Sequence, residues 1–383
     1  MGANIMGSLS AFGGGVAAYV IPFLFVLTIV VFFHELGHFL VARLCGIKVL
    51  SFSLGFGPEL FGFYDRYGTR WKVSAIPLGG YVKFLGDDNA ASTPDQEAAA
   101  AMSEEDKKVS FHYQPVGSRA AVVVAGPLAN FVLAIAIFAV IFMVVGKQTT
   151  SARVDTVQPN SAAAAAGFKP GDLVVGIDGS KIDSFTDMQR IVSVSAGEPL
   201  VIKVERDGKL VTLNATPQLR ELKDRFGNAH TLGVLGISRS MKPGDIKTQK
   251  MGPLTAIGNG AKETWFVVDR TLSYIGGVFV GREAADQLGG PIRIAQVSGE
   301  VATAGFTALI HLAAVLSISI GLLNLFPIPL LDGGHLLFYG IEAIRGRPLS
   351  DRAQEVGFRI GLAIVVMLMI FSTFNDILHL ATS

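Results

Sequence analysis

The run from Val16 to Leu44 is almost wholly apolar, yet it carries His34-Glu35-Leu36-Gly37-His38 near its end. Roughly 20 apolar residues cross the hydrocarbon core of a bilayer as a helix, so this run is long enough to span one. Lipid offers no partner for backbone N–H and C=O groups, which leaves a spanning segment little choice but helix. A helix places residues i and i+4 on one face, one turn apart. The two imidazoles are thereby brought together. That spacing suits one Zn²⁺ held by both rings, with the intervening Glu35 able to take a proton from the metal's water. Ionisable groups at membrane depth are costly and mark function by default. The pattern points to metal-assisted hydrolysis of peptide bonds at membrane depth.

Composition agrees with a polytopic membrane protein. Half of the 383 residues are hydrophobic and only 16% are charged, with a mean hydropathy of +0.48. A net charge of +1 gives no electrostatic footprint for nucleic acid, and no such partner is expected. Cys45 is the single cysteine, so no intrachain disulfide is possible, and it reads as an apolar filler. The N-terminus lacks a basic region, and cleavage after the apolar run would discard the histidine motif. The first segment is therefore expected to stay as a transmembrane helix.

Three more segments read as spans: about Ala120 to Val145, Phe306 to Leu325, and Gly357 to Ile370 with a tail to Leu380. Lys and Arg crowd the first loop, from Arg43 to Arg119, and the third, at Arg345, Arg347 and Arg352. None precedes the first span or follows the fourth. The positive-inside rule puts both termini outside, the basic loops in the cytoplasm, and His34 and His38 near the cytoplasmic end of their helix. The site should open toward the cytoplasm.

The expected order is residues 1–145 with the first two spans, 146–240 as an inserted extracytoplasmic domain, 241–300 as a connection, and 301–383 with the last two spans. Between the first two spans, Val49 to Leu85 alternates apolar and polar residues among glycines, and Trp71 to Ile76 reads as a strand. A hairpin there would offer an edge for an extended peptide. Asp87 to Lys108 is polar, acidic and Ala-rich, as in a flexible loop or short surface helix. Met251 to Ser298 suggests an amphipathic helix on the outer leaflet, broken at Gly289-Gly290-Pro291. In the insertion, strands are expected at Arg153–Val157, Leu173–Ile177, Leu200–Glu205 and Leu210–Ala215, with a helix at Phe185–Val194. The turns Asp178-Gly179 and Asp207-Gly208 close hairpins. With Asn160-Ser161-Ala162 through Gly171-Asp172, this segment resembles a bacterial PDZ domain. Such domains bind peptide or protein termini as an added strand. Gly233-Val234-Leu235-Gly236-Ile237 supplies something like the carboxylate loop.

A catalytic zinc takes three protein ligands and keeps one position for water. The third ligand is sought in Asn324-Leu325-Phe326-Pro327-Ile328-Pro329-Leu330-Leu331-Asp332-Gly333-Gly334-His335. Two prolines break the helix there, and freed backbone at that depth must line protein or a cavity. Asp332 follows the break, and His335, three residues on, is a rival. His112, His230, His311 and His379 have no motif partner.

H-E-x-x-H in the first span with N-x-x-P-x-x-x-L-D-G after a later one resembles the site-2 protease family of intramembrane zinc metalloproteases. Gly126-Pro127-Leu128-Ala129-Asn130-Phe131, Gly55-Phe56-Gly57 and Gly289-Gly290-Pro291-Ile292 extend the likeness. With the PDZ-like insertion, nearly the whole chain looks like the bacterial regulator of sigma-E protease branch, though with one evident PDZ segment in place of two. The resemblance implies a membrane all-α core of about four transmembrane helices with a re-entrant β-hairpin, plus an inserted α/β PDZ-like domain. It implies residence in the bacterial cytoplasmic (inner) membrane. His34, His38 and Asp332 would hold Zn²⁺, Glu35 would be the general base, and Asn324 and Asn130 would position substrate or support the oxyanion. The substrates would be single-pass membrane proteins such as trimmed anti-sigma factors, and perhaps remnant signal peptides. The rivals are a silent membrane scaffold, against which the retained Glu35 speaks, and a zinc transporter, against which the PDZ-like insertion speaks.

Overall fold

The computed structural model describes residues 2–87, 102–223, 229–239, 246–281 and 289–382. The chain divides into two compact units, residues 1–140 with 254–382, and residues 141–253.

The first unit contains helix α1 (Gly2–Leu44), strands β1 (Val49–Tyr64) and β2 (Arg70–Phe84), and helices α2 (Val116–Val144), α3 (Pro253–Phe279), α4 (Pro291–Thr303), α5 (Phe306–Asn324), α6 (Asp332–Arg345) and α7 (Asp351–Thr382). Among the described residues, four stretches are long and apolar enough to cross a membrane: Gly15–Leu44, Val116–Val144, Phe306–Asn324 and Arg352–Leu378. They agree with the four segments read from the sequence. Many of their large apolar side chains point outward, Ile21, Val132 and Ile370 among them. Such a surface is natural in lipid, where apolar exposure carries no penalty. Helix contacts rest on small residues that let backbones approach. Ala313 and Ala314 are fully buried, and Val26 and Val30 of α1 pack with Leu309 and Ala313 of α5.

The two strands do more than form one hairpin. Phe52 faces Val82 on one side and Trp71 on the other. Residues 51–54 run alongside 70–73 in the same direction and antiparallel to 80–83, while Glu59–Tyr64 pairs back on residues 70–74. Both strands bend near their middles, and the pair becomes a sheet in the order 59–64, 70–74, 49–54, 80–84. The expected strand, Trp71 to Ile76, begins inside the sheet, and Glu59–Tyr64 and Gly80–Phe84 are its two edges. Phe52 stacks on Trp71 with centroids 4.3 Å apart, over a core shared with Phe39 and Val122. The turn at Asp65 is tied to the end of α1. Asp65 accepts from the backbone of Tyr67 and Thr69, from Trp71 Nε1 and from Arg43.

Residues 88–101, most of the expected polar loop, lie outside the described residues; Glu104–Val109 beyond them is a short helix capped by Ser103. The connecting amphipathic segment is α3, with Leu254 and Trp265 strongly exposed. Helix α4 starts at Pro291 after Gly290. Asp376 of α7, buried within the fourth span, accepts from the backbone of Gly290 at 2.8 Å and Arg293 at 3.1 Å. A carboxylate satisfies the free N–H groups at a helix start and favours its positive end. That is why an acid is tolerated there.

The second unit has its own core, with Val154, Ile177, Met188, Ile202 and Val204 at its centre. Leu173–Ile177 lies between Ser180–Lys181 and Leu200–Arg206, and the latter pairs with Lys209–Ala215. The hairpin turns carry positive φ at both central residues, 47° and 82° at Asp178-Gly179 and 50° and 75° at Asp207-Gly208. This is the type I′ geometry that suits strand twist. The strand expected at Arg153–Val157 is shorter. Only Thr156–Val157 pairs, with Ile237–Ser238, and Arg153 makes an isolated bridge to Leu173. Asp172 is buried, and burial alone would push its carboxyl up. The Arg206 guanidinium, donating to both its oxygens at 2.7 Å, and the Lys169 N–H hold it below the usual range instead.

Candidate active site

Helix α1 brings His34, Glu35 and His38 to one face. Helix α5 ends at Asn324, and the prolines force an irregular link from Leu325 to Leu331. Leu330 sits at φ 89° there, a conformation that costs a non-glycine residue about 1–3 kcal/mol and is typical of functional sites. Asp332 then opens α6.

The result is a convergence of three groups able to hold a metal ion. His34 Nε2 and His38 Nε2 lie 3.2 Å apart. Asp332 places Oδ2 3.2 Å from His34 Nε2 and Oδ1 3.6 Å from His38 Nε2. Two ligand atoms at about 2.0–2.1 Å from a tetrahedral zinc are themselves roughly 3.3 Å apart, so the spacing fits. Protonation fits too. His38 Nδ1 donates to the Val122 carbonyl at 2.9 Å, which leaves the Nε2 lone pair facing the cluster. Asp332 Oδ2 is enclosed without a hydrogen-bond partner. A buried acceptor among nitrogen lone pairs calls for a cation. Among the described residues, His34, His38 and Asp332 form the one group of its kind.

Room for His38 comes from α2. A Cβ on Gly126 would stand 2.2 Å from His38 Nε2, so a glycine is required there. On the other side of α1, a Cβ on Gly80 would meet Glu35 Cγ at 3.1 Å. The edge strand thus lies directly against Glu35. His34, Glu35, His38 and Asp332 line a cavity of about 200 Å³ with Gly80, Tyr81 and Val82 of that strand, Asn324 and His335.

Two of the remaining expectations divide here. Asn324 lines the cavity. Asn130 is fully buried behind His34, with its amide 3.3 Å from His34 Nδ1. It is not among the residues that line the cavity. His335 lines the cavity outside the three-ligand group, its ring packed against Phe358 with centroids 5.4 Å apart.

Sequence reading missed two supports. Arg119 of α2 donates to Glu342 of α6 at 2.5 Å and lies over the Tyr339 ring, tying the ligand-bearing helix α6 to α2. His112 Nε2 pairs with the buried Asp87 Oδ1 at 2.9 Å. Both are long-range pairs with no local motif to announce them.

The profile of peptidase family M50 matches residues 22–368. The chain belongs to that family. An Agrobacterium fabrum protein named as a zinc metalloprotease is 51% identical over 372 residues, covering 97% of this chain and 99% of its own. The metalloprotease MmpA of Caulobacter vibrioides is 43% identical, with 95% and 96% covered. The regulator of sigma-E protease RseP of Salmonella typhimurium is 30% identical over 451 residues, with 92% and 97% covered. Among solved structures, a PDZ domain of an SdrC-like protein from Listeria monocytogenes aligns with 22% of this chain and 83% of its own, at 21% identity. Its TM-score of 0.18 is too low to carry a fold assignment.

This M50 peptidase is a zinc metalloprotease. Asp332→Ala should strip it of zinc, whereas His335→Ala should largely spare the metal. With His34, His38 and Asp332 as the ligands, loss of one in three would outweigh loss of a neighbour beyond the set, which typically costs about 10–100-fold in affinity or activity. Metal content of the two purified variants checks the ranking, and the reverse order would make His335 the third ligand.

Proposed function

We propose that this chain is an intramembrane endopeptidase of the bacterial inner membrane that cleaves single-pass membrane proteins within or near their transmembrane helix. One observation carries the reading: the edge strand Gly80–Phe84 and Glu35 share one cavity with His34, His38 and Asp332. Among the described residues no strand pairs with the outer side of Gly80–Phe84. An extended substrate can add there by main-chain hydrogen bonds. A helix with side chains is about 10–12 Å across, too wide for a cavity of about 200 Å³. The substrate must therefore unwind first, which also frees its carbonyls for attack.

Zinc held by His34, His38 and Asp332 would polarise the scissile carbonyl and lower the pKa of a water to about 7. Glu35 would accept that water's proton at its carboxylate and return it to the leaving amine nitrogen. The Asn324 amide N–H would donate to the oxygen as it gains charge.

By the Lys and Arg distribution, both termini and the PDZ-like insertion face outward while the site opens to the cytoplasm. The hairpin would re-enter the membrane, with Leu60 and Phe61 exposed on it, and α3 would lie on the outer leaflet. The insertion would admit substrates already shortened outside, such as trimmed anti-sigma factors, by capturing or excluding their new termini. The decisive experiment co-expresses single-pass proteins whose spans differ only in helix strength with wild type and Glu35→Gln. Helix-breaking residues in the span should raise Glu35-dependent cleavage. Glu35-dependent cutting confined to soluble regions, indifferent to the span, would overturn the reading.

A further inference from the structure

Helix α2 touches both metal-ligand histidines from behind. Its Val122 carbonyl accepts from His38 Nδ1 at 2.9 Å. Eight residues on, its Asn130 Nδ2 stands 3.3 Å from His34 Nδ1. Asn130 is 0% exposed, and the far end of its amide has no hydrogen-bond partner. An amide's oxygen and nitrogen ends exchange by a half-turn with almost no change in shape. With Nδ2 toward His34, Oδ1 is buried and unpaired; the half-turn brings the oxygen to His34 Nδ1, and the choice is decided there. With the N–H end toward Nδ1, the imidazole proton would sit on Nε2, pointed at His38 Nε2 and Asp332 Oδ2. With the oxygen end toward Nδ1, the proton stays on Nδ1 and the Nε2 lone pair joins the cluster.

We propose that Asn130 is a positioning residue whose amide oxygen accepts the His34 Nδ1–H, fixing the tautomer that can ligate metal, as the Val122 carbonyl does for His38. Ligand histidines are commonly held through their second nitrogen by an acceptor. Here one helix supplies both acceptors, one from backbone and one from a side chain. The inference rests on the zinc-site reading above.

The test measures zinc retention of the purified full-length protein by chelator competition, together with the visible spectrum of the Co²⁺-substituted form. Asn130→Leu keeps size but removes the acceptor, and should weaken zinc about 10–100-fold and alter the Co²⁺ bands. Asn130→Asp keeps an acceptor and no donor, and should hold zinc within a few-fold of wild type. Ser317→Ala removes the hydroxyl that donates to the Asn130 backbone carbonyl at 2.9 Å; it perturbs the α2–α5 contact alone and should leave both readouts unchanged. Wild-type zinc retention in Asn130→Leu would overturn the proposal. So would loss in Asn130→Asp equal to that in Leu, which would make the amide a donor. Loss in Ser317→Ala as large as in Asn130→Leu would reduce the effect to helix packing. Failure of the wild type to hold zinc would instead sink the underlying zinc site.

Discussion

Glu35→Gln should abolish proteolysis while leaving zinc bound. Gln matches Glu in shape, which matters because Gly80 leaves no slack against the Glu35 side chain. The three ligand groups are untouched, and so is the edge strand. What is lost is the ability to take up a proton and hand it to the leaving nitrogen. General acid–base groups contribute roughly 10²–10⁴-fold, and in the proposed mechanism one carboxylate serves both halves of the reaction. Activity should therefore fall by at least that factor. Cleavage of a single-pass substrate and metal content are measured on the same preparations. Normal turnover would remove Glu35 from the chemistry; loss of zinc alongside activity would recast it as a structural support for the metal.

The cluster of His34, His38 and Asp332 was legible because its signals are local. A spacing of four residues on a helix brings His34 and His38 together whatever surrounds them, and a proline break explains how Asp332 arrives from another helix. The spans were legible because hydropathy over about 20 residues is set by the bilayer alone. Whatever depended on which way an element faces or bends was not. Alternation along Trp71–Ile76 marked a strand correctly, but the bends near Gly55-Phe56-Gly57 decide the sheet order, and they leave Gly80–Phe84 as the edge beside Glu35. Asn130 was found by its motif, but its place behind His34 was not, because a motif does not say which face of α2 meets α1. Arg119–Glu342, His112–Asp87 and Asp376 at the start of α4 join residues far apart in sequence, and no short pattern encodes such pairs.

Gly126→Ala should cost the protein its zinc through one methyl group. The added Cβ would lie 2.2 Å from His38 Nε2 and 2.4 Å from Cε1, well inside van der Waals contact with the ligating atom itself. The ring cannot yield freely. Its Nδ1–H is bonded to the Val122 carbonyl one turn earlier on the same helix, so any rotation that clears the methyl strains or breaks that bond and carries Nε2 away from His34 and Asp332. Helix propensity works in the opposite direction, since Ala in a helix interior is favoured over Gly by about 1 kcal/mol. Loss of metal therefore would not reflect a weakened α2. Gly117→Ala supplies the control: it lies on the same helix with nothing within 4 Å of a new Cβ, and should keep zinc at equal or slightly higher stability. Zinc affinity in Gly126→Ala should drop by about 100-fold or more, the upper end of what disturbing a ligand's supports costs, and proteolysis should fall with it. Zinc retention by chelator competition, read beside thermal unfolding of both variants, separates the two effects. A Gly126→Ala protein that binds zinc like wild type would mean that His38 Nε2 does not point where the structure puts it, and that the metal is held by a different set of atoms.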